Sequence, residues 1–307
     1  MLKSKLGKSD LHISALTLGC MSLGTNEKTA TTIIERALDA GINHLDTADL
    51  YDFGVNEEIV GKAIQQKRND IILTTKVGNH FNKDTKDWFW DPSKEHIEQG
   101  LQDSLRRLQT DYIDFYMLHG GTIEDPIDEV IETMERLKQK GMIRAYGISS
   151  IRPNVIKEYV NRSNIDAVMM QYSLLDRRPE EEILDLLHAN EISVLARGPL
   201  AKGMVSNNAL KQIESKGKDG FLDYSYEELK QIHQELQDFT GDTATLNELA
   251  LKYVLKHPAV ASAVFGASSI DQVKANTDFN LADMLDDETF HRLQSITKPN
   301  YYTKHRD

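Results

Sequence analysis

Short apolar runs alternate with longer segments of helical period from one end of this 307-residue sequence to the other. Strands buried on both faces read as continuous apolar runs and their crossover helices as amphipathic stretches, so the alternation requires βαβ units around a parallel sheet. Eight runs qualify: ALTLG (15–19), INHLD (42–46), IILTT (71–75), YIDFYML (112–118), IRAYGIS (143–149), DAVMMQ (166–171), ISVLA (192–196) and SAVFG (262–266). Eight parallel strands close a barrel, and a barrel of this kind runs to roughly 250 residues or more as one unit. The patterning never changes style midway. The expected fold is therefore a single α/β domain over 1–307, a (β/α)8 TIM barrel.

Local punctuation agrees. Asp-Pro-Ser at 91–93 and Asp125-Pro126 read as helix starts, and Gly141 as the end of the helix that Asp125-Pro126 opens. Ahead of the first run, LGKSDLHIS reads as a short β-hairpin turning through Gly7 and the Lys-Ser-Asp cluster, placed to cover the lower mouth of the barrel. Two connections are too long for simple barrel loops: 77–92, with Trp88, Phe89 and Trp90, and 197–225. Long loops in compact domains are usually functional or disordered.

Composition narrows the function. A net charge of −12 opposes the broad basic surface that nucleic acid or anionic lipid would demand. The single cysteine, Cys20, excludes an intramolecular disulfide and the multi-thiolate metal patterns. His12, His44, His80 and His119 show no close His-x-His spacing at a strand end, which argues against a metal-dependent barrel hydrolase, and no metal is expected. The opening MLKSKLGKSDLHIS has no apolar stretch of signal-peptide length, and no run of about 18 apolar residues occurs, so the cytoplasm is the expected address. The sequence specifies no oligomeric state.

Active sites of such barrels form at the carboxyl ends of the strands. There Asp46 ends the second run, Tyr51 follows five residues later, Lys76 follows the third run and His119 the fourth. Alone, a strand-end aspartate is more often a cap, and Tyr51 or His119 an ordinary rim residue. Together they make coherent chemistry. Tyrosine is a poor acid, and a neighbouring ammonium is expected to lower its pKa, so Lys76 would make Tyr51 a proton donor. Asp46 would keep Lys76 charged, and His119 would position a substrate oxygen. No side chain donates hydride, so a nicotinamide or flavin is required, and no strand is followed by G-x-G-x-x-G to hold it in Rossmann fashion.

The segment LDTADLYDFGVNEEIVGKAI resembles the aldo-keto reductase signature, and RRLQTDYIDFYMLH and LKQKGMIRAYGISS resemble two further stretches of that family. The resemblance runs in order from TLGCMSLG to GASSIDQVKAN, nearly the whole chain. It implies a catalytic tetrad of Asp46, Tyr51, Lys76 and His119, with Tyr51 the general acid that protonates a small carbonyl substrate during reduction by NADPH, NADH not being excluded. It implies a nicotinamide carboxamide against Ser149 and Gln171, with Ser150 where relatives have Asn. Arg197 occupies the stacking position, and Gly198, Pro199, Leu200 and Lys202 would run beside the pyrophosphate. Gly266, Ser268, Gln272 and Asn276 would bind the adenosine half, without the cation that often grips a 2′-phosphate near Ser268. Gly19 and Met21, beside Cys20 after the first strand, would shape the cofactor's bed, with Asp46 next to it. Trp88 and Trp90 read either as substrate-pocket walls or as pins for a long loop. One alternative on the same fold is a slow-turnover redox sensor or regulatory protein, as in the potassium-channel β subunits of this superfamily.

Overall fold

A computed structural model describes residues 1–241 and 244–306. Its elements run β1 (Lys3–Lys5), β2 (His12–Ser14), β3 (Leu16–Gly19), α1 (Glu27–Asp39), β4 (His44–Asp46), α2 (Val55–Ile64), β5 (Ile72–Val77), β6 (Asn79–Phe81), β7 (Trp88–Trp90), α3 (Lys94–Leu108), β8 (Ile113–Leu118) and α4 (Ile127–Gln139). They continue with β9 (Ile143–Ser149), α5 (Pro153–Arg162), β10 (Ala167–Gln171), α6 (Ile183–Ala189), β11 (Ser193–Arg197), α7 (Ala209–Lys216), α8 (Tyr226–Thr240), α9 (Leu246–Leu255), β12 (Val260–Gly266), α10 (Ile270–Thr277) and α11 (Asp287–Ile296).

Strands β3, β4, β5, β8, β9, β10, β11 and β12 pair in parallel, each with its neighbour in this order, and β12 closes on β3. All eight apolar runs are barrel strands. The helices pack outside by their buried stripes, as α3 does with Ile97, Leu101 and Leu108. Ser93 caps α3 by accepting from His96 N, and Gly141, at φ 72, follows the end of α4, as the sequence signals require.

The N-terminal hairpin pairs β1 with β2 and plugs the lower mouth, burying Leu6, Leu11 and Ile13 against Phe115, Met117, Met169 and Leu195. Its turn needs a glycine. Gly7 has φ 54, and a Cβ there would lie 2.0 Å from the Asp166 carbonyl oxygen. Midway up the barrel, His44 is fully buried and bonded to the Thr17 and Thr74 hydroxyls at 2.7 and 2.6 Å, with Thr17 in turn bonded to Ser262.

The two long connections are structured. Residues 79–90 form a β-hairpin, β6 pairing with β7, whose turn is fixed by Asn82 Oδ1 accepting from Asp84 N and Thr85 N. Within 197–225, a tight turn at Ala201–Gly203 precedes α7. Among the described residues no helix is long and apolar enough to cross a membrane.

Candidate active site

Strand register sets the site's floor. Gly266, Gly19 and Asp46 stand side by side across β12, β3 and β4, and Gln171 pairs with Arg197 across β10 and β11. Lys76 is the penultimate residue of β5, and His119 follows β8, its N–H bonded to the Val77 carbonyl.

Tyr51 reaches this floor through a contorted turn. Asp52 and Phe53 have φ of 48° and 53°, and Gly54 follows at 89°, so the chain reverses sharply before α2 begins. Left-handed non-glycine residues cost on the order of 1–3 kcal/mol each and persist only where surroundings over-determine them. Here the surroundings are the rest of the signature segment. Asn56 Oδ1 accepts from Thr47 Oγ1, and Asn56 Nδ2 donates to the Cys20 carbonyl. Glu57, fully buried, accepts from Thr75 Oγ1 at 2.5 Å and from Arg107 Nε at 2.6 Å.

At the centre Lys76 has 0% exposure. Its Nζ lies 2.7 Å from Asp46 Oδ1 and donates to the Thr47 carbonyl at 2.8 Å and to Tyr51 OH at 3.3 Å. Three oxygens thus surround an ammonium that has three donors and no acceptor. The His119 ring meets Tyr51 edge-on, centroids 5.7 Å apart. The structure therefore brings all four residues of the expected tetrad together.

The electrostatics correct one expectation. Burial pushes the Tyr51 phenol above its ordinary pKa, and the opposing pull of Lys76 does not overcome it, since Asp46 beside the ammonium raises the phenol again. Burial also opposes the charge on Lys76, but Asp46 and Tyr51 more than offset it and hold the ammonium above its usual range. The His119 imidazole is pushed down to about 3 by burial and by the Lys76 and Arg197 charges. It is neutral at physiological pH, and its Nδ1 is shielded from solvent with no hydrogen-bond partner among the described residues.

Above the floor opens a cleft of about 310 Å³ lined by His119, Gly120, Gly121, Ser149, Ser150, Ile151, Arg152, Met169 and Arg197. Among the described residues the side chains of Ser149, Gln171 and Arg197 make no hydrogen bond or ion pair within the protein, which leaves their polar ends for a ligand. That donor set, with an open guanidinium plane and the unpartnered His119 nitrogen, fits a flat amide-bearing ring such as nicotinamide. Next along, Gly198 has φ 69 and open space about it, Pro199 is buried and Leu200 half-buried. Met21 is 60% exposed at the rim.

Other expected cofactor contacts are engaged with the protein. Lys202 Nζ lies over the Phe221 ring at 5.7 Å. Gln272 Oε1 accepts from Ser268 N and Oγ, while Asn276 is buried with its Oδ1 accepting from Asn247 Nδ2, bracing α9 against α10.

Three features escaped the sequence reading. Arg152 lines the cleft and donates to the Gly121 carbonyl; its place just after the fifth apolar run was the available signal. The Thr47 carbonyl that accepts from Lys76 leaves no trace in side-chain identity. His80, Asp91 and His96 meet at the base of the rim hairpin, brought together by a fold that their spacing does not announce. Trp90 settles as a pin: its ring packs over Gly78 and Gly120 and its Nε1 donates to Asp125 at 3.0 Å, whereas Trp88 is 56% exposed.

The aldo/keto reductase family matches residues 15–298. An uncharacterized oxidoreductase of Bacillus subtilis, YqkF, is 55% identical over the whole of both chains. The NADH-specific methylglyoxal reductase of Escherichia coli is 30% identical over 92% of this chain and 95% of its own. The holo form of the aldo-keto reductase AKR11C1 from Bacillus halodurans superposes with a TM-score of 0.93 at 53% identity, all of each chain being covered. With a family match and whole-chain identities of this extent, the chain belongs to the aldo/keto reductase family of oxidoreductases.

Proposed function

We propose that this protein reduces a small aldehyde or ketone with a nicotinamide cofactor, Tyr51 acting as proton donor and Asp46, Lys76 and His119 as its catalytic partners. The observation that carries this reading is the buried Lys76 ammonium enclosed by Asp46, the Thr47 carbonyl and Tyr51 OH. Because Lys76 donates to the phenol oxygen, the Tyr51 proton cannot point back at Lys76. It is free for a substrate oxygen. A phenol held above its ordinary pKa starts each cycle protonated and yields its proton only as negative charge grows on that oxygen. Lys76 then stabilises the phenolate left behind. Neutral His119 can donate one ring N–H to the same oxygen and fix the direction of approach.

A bound reduced nicotinamide supplies the hydride. Ser149 and Gln171 would hold its carboxamide and Arg197 its ring face, over a bed made by Gly19, Met21 and Asp46. Gly198, Pro199, Leu200 and Lys202 would flank the pyrophosphate, with Gly266, Ser268, Gln272 and Asn276 at the adenosine. This assignment asks Lys202 to leave Phe221 and the Gln272 side chain to leave Ser268. NADPH is the proposed form, with the Ser268 and Ser269 hydroxyls and Lys202 as 2′-phosphate partners; the name of the Escherichia coli relative makes NADH the necessary comparison. The setting is one cytoplasmic domain over 1–307, acting on small molecules rather than on nucleic acid or membranes.

Fluorescence titration with NADPH and with NADH, followed by a carbonyl panel read by loss of reduced-cofactor absorbance, tests this. Tyr51→Phe should keep the cofactor Kd and lose about 10²–10⁴-fold in kcat, the usual contribution of a positioned general acid. Undiminished turnover would remove Tyr51 from the role. Tight binding with no turnover of any carbonyl by the unaltered protein would favour the sensor instead.

A further inference from the structure

We propose that His80, Asp91 and His96 form a binding site for one divalent transition-metal ion of the zinc, cobalt or nickel type, at the joint between the rim hairpin and α3. It does not depend on the reductase reading. One donor atom from each residue lies within 4.8 Å of the other two. Two imidazoles and a carboxylate suit borderline metals, whereas magnesium and calcium prefer oxygen ligands alone, and three protein ligands leave a position for water.

The surroundings orient the carboxylate as a metal's outer contacts do. Asp91 is anchored by its N–H on the Gly78 carbonyl at 2.8 Å and by its Oδ1 accepting from Ser93 N at 3.1 Å, while its Oδ2 faces His80 Nδ1 at 3.2 Å. Ser93 caps α3 on His96 N, so His96 and Asp91 are fixed to the same corner. His96 Nε2 is shielded from solvent and has no hydrogen-bond partner among the described residues, a condition that a coordinated ion would relieve if this nitrogen is the ligand.

His80 is the movable member. Its ring stacks between Phe89 and His96, with centroids 4.8 Å away on each side. Parallel stacked imidazoles cannot aim in-plane lone pairs at one ion. Metal–nitrogen bonds of about 2.0–2.1 Å also require the donors closer together, roughly 3.3 Å apart. The ion must therefore turn His80 out of the stack, and its side chain, 53% exposed, is free to turn. Binding would then clamp β6 to α3 and hold the hairpin that presses Trp90 over Gly78 and Gly120.

Both tryptophans of the chain, Trp88 and Trp90, lie in β7, so their emission reports on this joint directly. The test is titration of the untagged protein with cobalt chloride, read by tryptophan quenching and visible absorption, with magnesium chloride as control. The expected result is one saturable cobalt equivalent, no response to magnesium, and affinity weakened about tenfold or more in both His80→Ala and His96→Gln. Far-ultraviolet circular dichroism checks that each variant is folded, and the exposed His80 provides the variant least able to disturb folding. No saturable response up to about 1 mM cobalt would overturn the proposal. So would a response that survives in both variants, because the ion would then sit on other histidines.

Discussion

At the scale of single residues, the site depends on one buried charge being satisfied by its neighbours. Lys76 and Asp46 are both buried, and each makes the other's ionisation tolerable. Removing one partner of a buried pair is worse than removing both, because the survivor keeps its desolvation penalty; the single loss costs about 3–5 kcal/mol. Lys76→Met should therefore destabilise the protein by that order, measured from the urea midpoint, while Lys76→Met combined with Asp46→Asn recovers much of the loss. Turnover should not recover in the double variant, since no ammonium remains hydrogen-bonded to the Tyr51 oxygen. A double variant less stable than the single one would show that Asp46 is held by something other than this ion pair. The four residues were legible in the sequence because each ends an apolar run, directly follows one or sits in the connection behind one. The net direction of the Tyr51 shift was not. It depends on how deeply the phenol is buried and on the proximity of Asp46 to the same ammonium, which are products of the turn through Asp52, Phe53 and Gly54.

Among the elements, the eight strands could be read because burial on both faces leaves a continuous apolar signature, and the β1–β2 hairpin because its turn residues are distinctive. The rim hairpin could not. Its strands are three residues each and largely exposed, so no alternation of useful length exists, and its pairing rests on the Asn82 turn and on Trp90. Gly78 is where hairpin and barrel meet: it has φ 122, and a Cβ would lie 2.6 Å from the Trp90 ring. Gly78→Ala must expel the indole from its place over Gly78 and Gly120 as well as strain the backbone. A loss of about 1–3 kcal/mol in stability is expected, together with an altered near-ultraviolet circular dichroism signal, since both tryptophans lie in β7. An unchanged tryptophan signal would mean that Trp90 does not pack on Gly78 in solution.

For the whole molecule, buried histidines and buried carboxyls pull the response to acid in opposite directions. Burial, with the Lys76 charge adding to it, pushes His44 down to about 3, and His119 is pushed to a similar value. An unfolded chain protonates both near 6.5, so below that pH the unfolded state binds more protons than the folded one. The stability these residues contribute is complete above about pH 6.5 and is lost as pH falls toward 3. Asp46, Asp49 and Asp166, whose carboxyls burial raises, act in the opposite sense, since the folded state there takes up protons before the unfolded one. The bulk acid response mixes both, and a single substitution separates them. His44 lies in the barrel interior and does not line the cleft, and among the described residues its ring is hydrogen-bonded to Thr17 and Thr74 alone, so His44→Gln removes one titrating imidazole without removing any residue of the tetrad. Its urea midpoint should be lower than that of the unaltered protein at pH 7 and should fall less between pH 7 and pH 5. Equal falls in the two proteins would mean that His44 is already solvated in the native barrel, and that the polar layer of Thr17, Thr74 and Ser262 admits water.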